Sequence, residues 1–249
     1  MTDSEIIDII KSLEKECERY KDGGREFISR LAQKLNNTVD EEKEAVFGFF
    51  FKEIRNQVNS HFGYLALEVF SEMKATEVAP TLEKICREEY SAGNSKKKNF
   101  IIATMMGLKY DKPVDLYAEY LKYYNDDVYE RYWNVFFDYC QDDWSRSIPI
   151  LSLYFADVLS FSTLSLFFLK KKVAKLCMVQ RINHLSYYYF QNNDSYFLEL
   201  VKQVALKNKK AAKALKKLLT EYLSKKTSKD CYTAEKCDKI IGQLERFTI

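Results

Sequence analysis

The chain has 249 residues with 7 Gly and 3 Pro, about 4% together against the roughly 12% of average usage. Hairpins, bulges and phosphate-cradling loops consume those two residues, so a β-sandwich, a β-barrel or a Gly-looped Rossmann domain is disfavoured. At 47% apolar and 30% charged the chain is neither disordered nor collagen-like, and its net charge of +3 makes it neither strongly acidic nor strongly basic as a whole.

The first segment, residues 1–20, is acidic and amphipathic and lacks the basic start and small-residue cleavage site of a secretory signal. In 38–58, Val46, Phe50, Ile54 and Val58 recur every fourth residue with Phe47 and Phe51 beside them, giving one wide apolar helical face. Thr38-Val39-Asp40-Glu41 reads as a capping box, which predicts Thr38 as the N-cap of that helix. Three pairs of apolar-periodic segments follow: 62–73 with 78–89, 99–110 with 114–124, and 128–140 with 148–158. Polar turns separate the members of each pair. Val78, Val114 and Ile148 open the second members, 36 and 34 residues apart. In 194–206, Phe197, Leu200, Val201 and Val204 line one face. The run 207–226 places Ala211, Leu215, Leu218, Leu219 and Tyr222 on an apolar stripe and lysines on the rest. No segment alternates long enough to predict a strand, and the breaks between segments imply about thirteen helices.

A period near 35 residues of helix–turn–helix units is the signature of an α-solenoid, because one helix pair cannot bury its inner face alone. Residues 60–158 resemble HEAT-like repeats: an apolar first helix, a polar turn, and a second helix opening on Val or Ile with Pro80 and Pro149 nearby. The expected fold is all-α, a right-handed α-solenoid of stacked antiparallel helix pairs. It reads as one elongated domain with N-terminal helices over 1–58, HEAT-like pairs over 59–160 and basic helices over 161–249.

The stretch Ile148–Leu169 is long enough to span a membrane and contains one charge, Asp157. Pro149, the central Asp157 and the hydroxyls Ser160, Ser162, Thr163 and Ser165 favour two buried helices split at a Ser162 or Thr163 N-cap instead. Cys17, Cys86, Cys140, Cys177, Cys231 and Cys237 are widely spaced without a CxxC pair, which fits reduced structural thiols and a cytoplasmic setting. The two histidines, His61 and His184, have no motif partner. No Walker loop, GxGxxG, HExxH, GxSxG or kinase signature occurs, so no catalytic set, metal or cofactor is expected.

Two charged regions carry the functional expectations. Residues 1–164 hold 21 Lys and Arg against 29 Asp and Glu, whereas 165–249 hold 18 against 7, a division of −8 and +11. Within the acidic part, 126–144 concentrates Asp126, Asp127, Glu130, Asp138, Asp142 and Asp143 around Tyr132, Tyr139 and Trp144. Carboxylates rimming aromatics form a docking surface for a basic protein partner, with rings as anchors and charge as steering. Such a helical-repeat binder would be non-enzymatic, an adaptor or an inhibitor of the immunity or antitoxin kind. The second reading is nucleic-acid binding through Lys170, Lys171, Lys172, Lys209, Lys210, Lys213, Lys216 and Lys217. It resembles the DNA glycosylases of the AlkD type, HEAT-like proteins with a Trp-x-x-x-Asp pattern on a mid-chain helix. Here Trp133 and Asp138 are five apart and Phe137 stands where that pattern has its acid, so neither residue is assigned a catalytic role.

Overall fold

The computed structural model describes residues 1–18, 23–56, 61–90, 96–122, 129–160, 195–224 and 234–249, with the backbone alone for 129–131. Among them the regular structure is all helical, with twelve α-helices, two short 3-10 turns and no strand. The sequence expectation of about thirteen helices extends into 161–194 and 225–233, which lie outside the described residues. The chain divides into two units, Met1–Pro113 and Val114–Ile249.

The first unit holds α1 (Asp3–Cys17), α2 (Gly23–Asn36), α3 (Asp40–Arg55), α4 (His61–Met73), α5 (Ala79–Glu89) and α6 (Lys96–Gly107). Thr2 starts α1 by a capping box: its hydroxyl accepts from the Glu5 N–H at 3.3 Å and its own N–H donates to Glu5 at 2.6 Å. The capping box expected at Thr38 does not form. Val39 occupies the N-cap of α3 without a side-chain cap, and the Thr38 hydroxyl turns back to the Lys34 carbonyl at 2.8 Å, closing the end of α2. A three-residue connection leaves that hydroxyl nearer the helix behind it than the helix ahead.

Packing in this unit joins α1 to α2, α3 to α4 and α5 to α6; α4 also packs on α2 and α6, and α3 on α1 and α5. The core between α3 and α4 is aromatic: Phe47, Phe50 and Phe51 place their rings 5.0, 5.7 and 5.5 Å from Phe70. Helices α4 and α6 end alike. Lys74 (φ 53°) and Lys109 (φ 57°) adopt the left-handed conformation, and the next N–H reaches back five residues, Ala75 to Phe70 O and Tyr110 to Met105 O, each at 3.1 Å. This helix-ending motif usually employs Gly at that position, since a side chain there costs about 1–2 kcal/mol.

The ends of α3, α4 and α6 converge on a buried lysine. Lys97 is only 3% exposed, and its ammonium donates to the Glu53 carbonyl at 3.3 Å and to the Asn56 carbonyl, satisfying the C-terminus of α3. Burial pulls its pKa below the ordinary 10.5, against the pull of the Glu53 charge. Gly63 makes this convergence feasible, because a Cβ there would stand 2.8 Å from the Glu53 carbonyl oxygen and 3.1 Å from Lys97 Nζ.

The second unit holds α7 (Val114–Lys122), α8 (Tyr129–Cys140), α9 (Ser147–Val158), α10 (Tyr196–Lys207), α11 (Lys209–Ser224) and α12 (Ala234–Arg246). Helix α9 is its centre, packed by α7, α10, α11 and the 3-10 turn Trp144–Arg146. That position explains the apolar stretch starting at Ile148: Ile150, Leu151, Tyr154 and Phe155 are all buried. The polar groups of α9 are satisfied internally. Ser147 Oγ donates to the Trp144 carbonyl and shares a short hydrogen bond with the Tyr196 hydroxyl, while Asp157 pairs with Lys122. No helix among the described residues is long and apolar enough to cross a membrane, and residues 161–169, with the expected second N-cap, lie outside them. Cys17, Cys86, Cys140 and Cys237 are buried free thiols; Cys177 and Cys231 lie outside the described residues.

Candidate functional site

The acidic patch loses two of its aromatics. Asp138 and Asp142 are exposed and Tyr132 is half-buried. Tyr139 and Trp144, expected to offer ring faces to a partner, are instead 2% and 1% exposed. The Tyr139 ring lies 5.2 Å from Tyr117 of α7 and under the Arg146 guanidinium at 5.7 Å, and Trp144 packs on Phe137 at 5.7 Å. Tyr132 is itself engaged with Tyr120, ring to ring at 4.6 Å. Asp143 serves the fold: its carboxylate accepts from the Ser145 N–H at 2.9 Å and caps the 3-10 turn. Hydrogen bonding from the Ser145 side chain, then its backbone N–H and the Arg146 charge, hold Asp143 below its ordinary 3.8, with burial opposing them. Asp126 and Asp127 lie outside the described residues, as does the side chain of Glu130. Trp133 is buried and Asp138 exposed, so the two do not share a face of α8.

The basic surface is built on α10 and α11. Asn208 links these helices, its side chain accepting from the Ala211 N–H at 3.0 Å and donating to the Ala156 carbonyl of α9 at 3.3 Å. Of the stripe expected from the sequence, Ala211, Leu215, Leu218 and Leu219 are buried, joined by Ala212 and Leu223, and Tyr222 is half-buried. That fixes the opposite face outward, so Lys209, Lys210, Lys213 and Lys217 are exposed, with Lys202 and Lys207 of α10 exposed as well. Lys209, Lys213 and Lys217 fall four residues apart, about 6 Å per step along the helix. Among the described residues no group pairs with Lys209, Lys210 or Lys213, while Lys217 stands 4.0 Å from Glu221. Lys216 has a different role: its ammonium donates to the Phe247 carbonyl at 2.8 Å and the Glu245 carbonyl at 3.4 Å, tying the segment after α12 to α11. Lys170, Lys171 and Lys172 lie outside the described residues.

Between α11 and that tied segment runs a groove of about 510 Å³, its walls carrying Lys213, Lys217 and Thr220 on one side and Phe247, Thr248 and Ile249 on the other. Sequence reasoning missed this groove and the part Phe247 plays in it. The two walls come from segments some thirty residues apart with α12 between them, and no spacing in the sequence joins them.

His61 is exposed, with Nε2 3.9 Å from a Glu14 oxygen, and His184 lies outside the described residues. Among the described residues no group of three or more His, Cys, Asp or Glu side chains is placed to hold a metal ion. No family model, curated protein or solved structure matches the chain.

Proposed function

We propose that this is a helical-repeat protein that binds nucleic acid through the basic face of α10 and α11. The first unit supports the repeat part of the reading. Its helices pair as α1 with α2, α3 with α4 and α5 with α6, one register off from the pair 62–73 with 78–89 expected from the sequence, and the left-handed Lys74 and Lys109 turns recur 35 residues apart, as stacked helix pairs of an α-solenoid would have them.

One observation carries the functional part: exposed lysines that pair with no other described residue crowd the first turns of α11. Positive charge at a helix N-terminus opposes the dipole by about 0.3–1 kcal/mol, and like charges four residues apart repel by about 0.2–0.5 kcal/mol per pair. A merely solvated face is served as well by Glu, which favours that end of a helix. Lysine at Lys209, Lys210 and Lys213 lowers the stability of the free protein and suits a polyanionic partner.

The test is fluorescence anisotropy with a labelled oligonucleotide between 50 and 200 mM salt. Binding should weaken log-linearly with salt at a slope of about −0.7 to −0.9 per phosphate contacted. Reversal of Lys209, Lys210 and Lys213 to Glu should abolish it. Absence of binding at low salt, binding untouched by the reversal, or binding to anionic vesicles alone overturns the reading.

The exposed Asp138 and Asp142 support a second reading, a basic protein partner such as an inhibited toxin or an adaptor's client, docked on the edge of α8. It no longer has Tyr139 and Trp144 as anchors. Asp138→Lys with Asp142→Lys should break a complex captured from the native cell; a complex that survives refutes it.

A further inference from the structure

We infer that the groove beside α11 seats single-stranded rather than duplex nucleic acid, with Phe247 as the platform on which an unpaired base stacks; this rests on the nucleic-acid reading above. Proteins that hold single strands combine a basic track for the backbone with an aromatic ring for a base. Both are present here and adjoin. Lys209 and Lys213 form the track, and Lys213 continues into the groove wall opposite Phe247.

Four features give the arrangement its direction. First, the groove's volume of about 510 Å³ is of the size that holds a small ligand, so a splayed nucleotide fits within it. Second, Phe247 is only half-buried although it is among the most apolar side chains near the end of the chain, which leaves ring surface for a base. Third, the backbone that carries the ring is held in place. Lys216 grips the Phe247 and Glu245 carbonyls, and the Phe247 N–H reaches the Leu244 carbonyl at 3.3 Å. Lys216 is therefore a positioning residue whose ammonium is engaged by the wall rather than by phosphate.

Fourth, Glu221 and Glu245 also line the groove, and Glu221 stands 4.0 Å from Lys217. Glu221, two turns along α11 from Lys213, repels phosphate from its end of that helix, and Glu245 repels it from the opposite wall. The backbone of a bound strand then follows the Lys209–Lys213 side while the base turns inward to Phe247. In a duplex the bases stay stacked on one another and cannot reach the ring, so a duplex gains only the lysine contacts.

The experiment compares a fluorescein-labelled twelve-residue oligothymidylate with a hairpin duplex of matched charge, at one salt concentration, on the full chain. Stacking of one base on an aromatic is worth roughly 5- to 150-fold in affinity by alanine substitution. Phe247→Ala should weaken the single strand within that range, leave the duplex affinity unchanged, and leave the salt slope of both unchanged. Phe247→Tyr should restore single-strand binding, which separates loss of the ring from loss of the fold. Lys213→Glu should weaken both probes. If Phe247→Ala weakens neither probe, or both equally, the stacking proposal is overturned while the nucleic-acid reading stands. If the combined Lys209, Lys210 and Lys213 reversal leaves both probes bound, the underlying reading falls with it.

Discussion

Gly63 offers the sharpest check on the packing of the first unit. In a helix, Gly→Ala ordinarily stabilises by about 0.4–1 kcal/mol, because the unfolded chain loses freedom. At Gly63 the added Cβ would lie 2.8 Å from a backbone oxygen, that of Glu53, and 3.1 Å from the Lys97 ammonium. The oxygen cannot swing away, since it belongs to the last turn of α3 and accepts from Lys97. Either α4 moves off α3, at an overpacking cost of about 1–3 kcal/mol, or Lys97 gives up charged hydrogen bonds worth about 1.5–3 kcal/mol. Subtracting the helical gain leaves a net loss of about 1–2 kcal/mol for Gly63→Ala. Gly48 is the internal control: it sits in the middle of α3 with nothing within 4 Å of its hypothetical Cβ, so Gly48→Ala should gain about 0.4–1 kcal/mol. Urea unfolding followed by far-ultraviolet circular dichroism reads both, and the two midpoints should move in opposite directions. A Gly63→Ala protein as stable as Gly48→Ala would refute the convergence of α3, α4 and Lys97.

Four further outcomes follow from the same contacts. Asp143→Ala should cost about 1 kcal/mol as a lost cap; because the folded Asp143 sits below its ordinary 3.8, its contribution is complete above that value and disappears as pH falls through the lower folded value, so acid titration of wild type and variant should converge there. Lys74→Gly relieves a left-handed side chain and should raise the unfolding midpoint, with a gain of up to about 1 kcal/mol; a drop in midpoint would contradict the turn geometry. Lys209→Glu with Lys210→Glu should raise the melting temperature, by up to about 1–2 kcal/mol of dipole and repulsion relief, in the variant that loses polyanion binding. Alkylation of the native protein, mapped by mass spectrometry, should spare Cys17, Cys86, Cys140 and Cys237 until denaturant is added.

Helical periodicity made most of the described helices legible, because a core face repeats every three or four residues whatever covers it. Val46, Phe50 and Ile54 were read from spacing alone and are buried. What covers a face is not in the spacing. Tyr139 lies on the flank of α8 that a helical wheel leaves at the edge of the core, and Tyr117 from α7 and Arg146 from the following turn cover it. Trp144 follows two aspartates and reads as surface; the 3-10 turn capped by Asp143 folds it inward onto Phe137. Lys97 errs in the opposite direction. A run of three lysines has the composition of a solvated segment, yet Lys97 and Lys98 are both buried, and the C-terminal carbonyls of α3, more than forty residues earlier in the chain, hold Lys97 inside. The lysines of α11 were legible because the apolar stripe fixes which face is outward, and the groove was not, because its second wall comes from beyond α12.

The charge division also changes meaning once the units are known. Residues 114–164 carry 3 Lys and Arg against 9 Asp and Glu, so the strongly acidic and strongly basic stretches both fall in the second unit. Helix α9 of the acidic stretch packs directly on α10 and α11 of the basic one. Opposite charges brought so close could have neutralised one another across that interface. The contacts that join them include a serine–tyrosine hydrogen bond, an asparagine on a backbone carbonyl, and apolar side chains. Asp157 on α9 pairs with Lys122 of α7 rather than with a lysine of α11. Lys209, Lys210 and Lys213 therefore remain a local source of positive potential within a nearly neutral molecule. At about 8 Å of screening length under physiological salt, that potential is felt by a ligand at the α11 face and not across the unit. Neutral overall charge and a locally basic face are thus compatible, and the affinity of the proposed nucleic-acid binding should follow these three lysines rather than net charge.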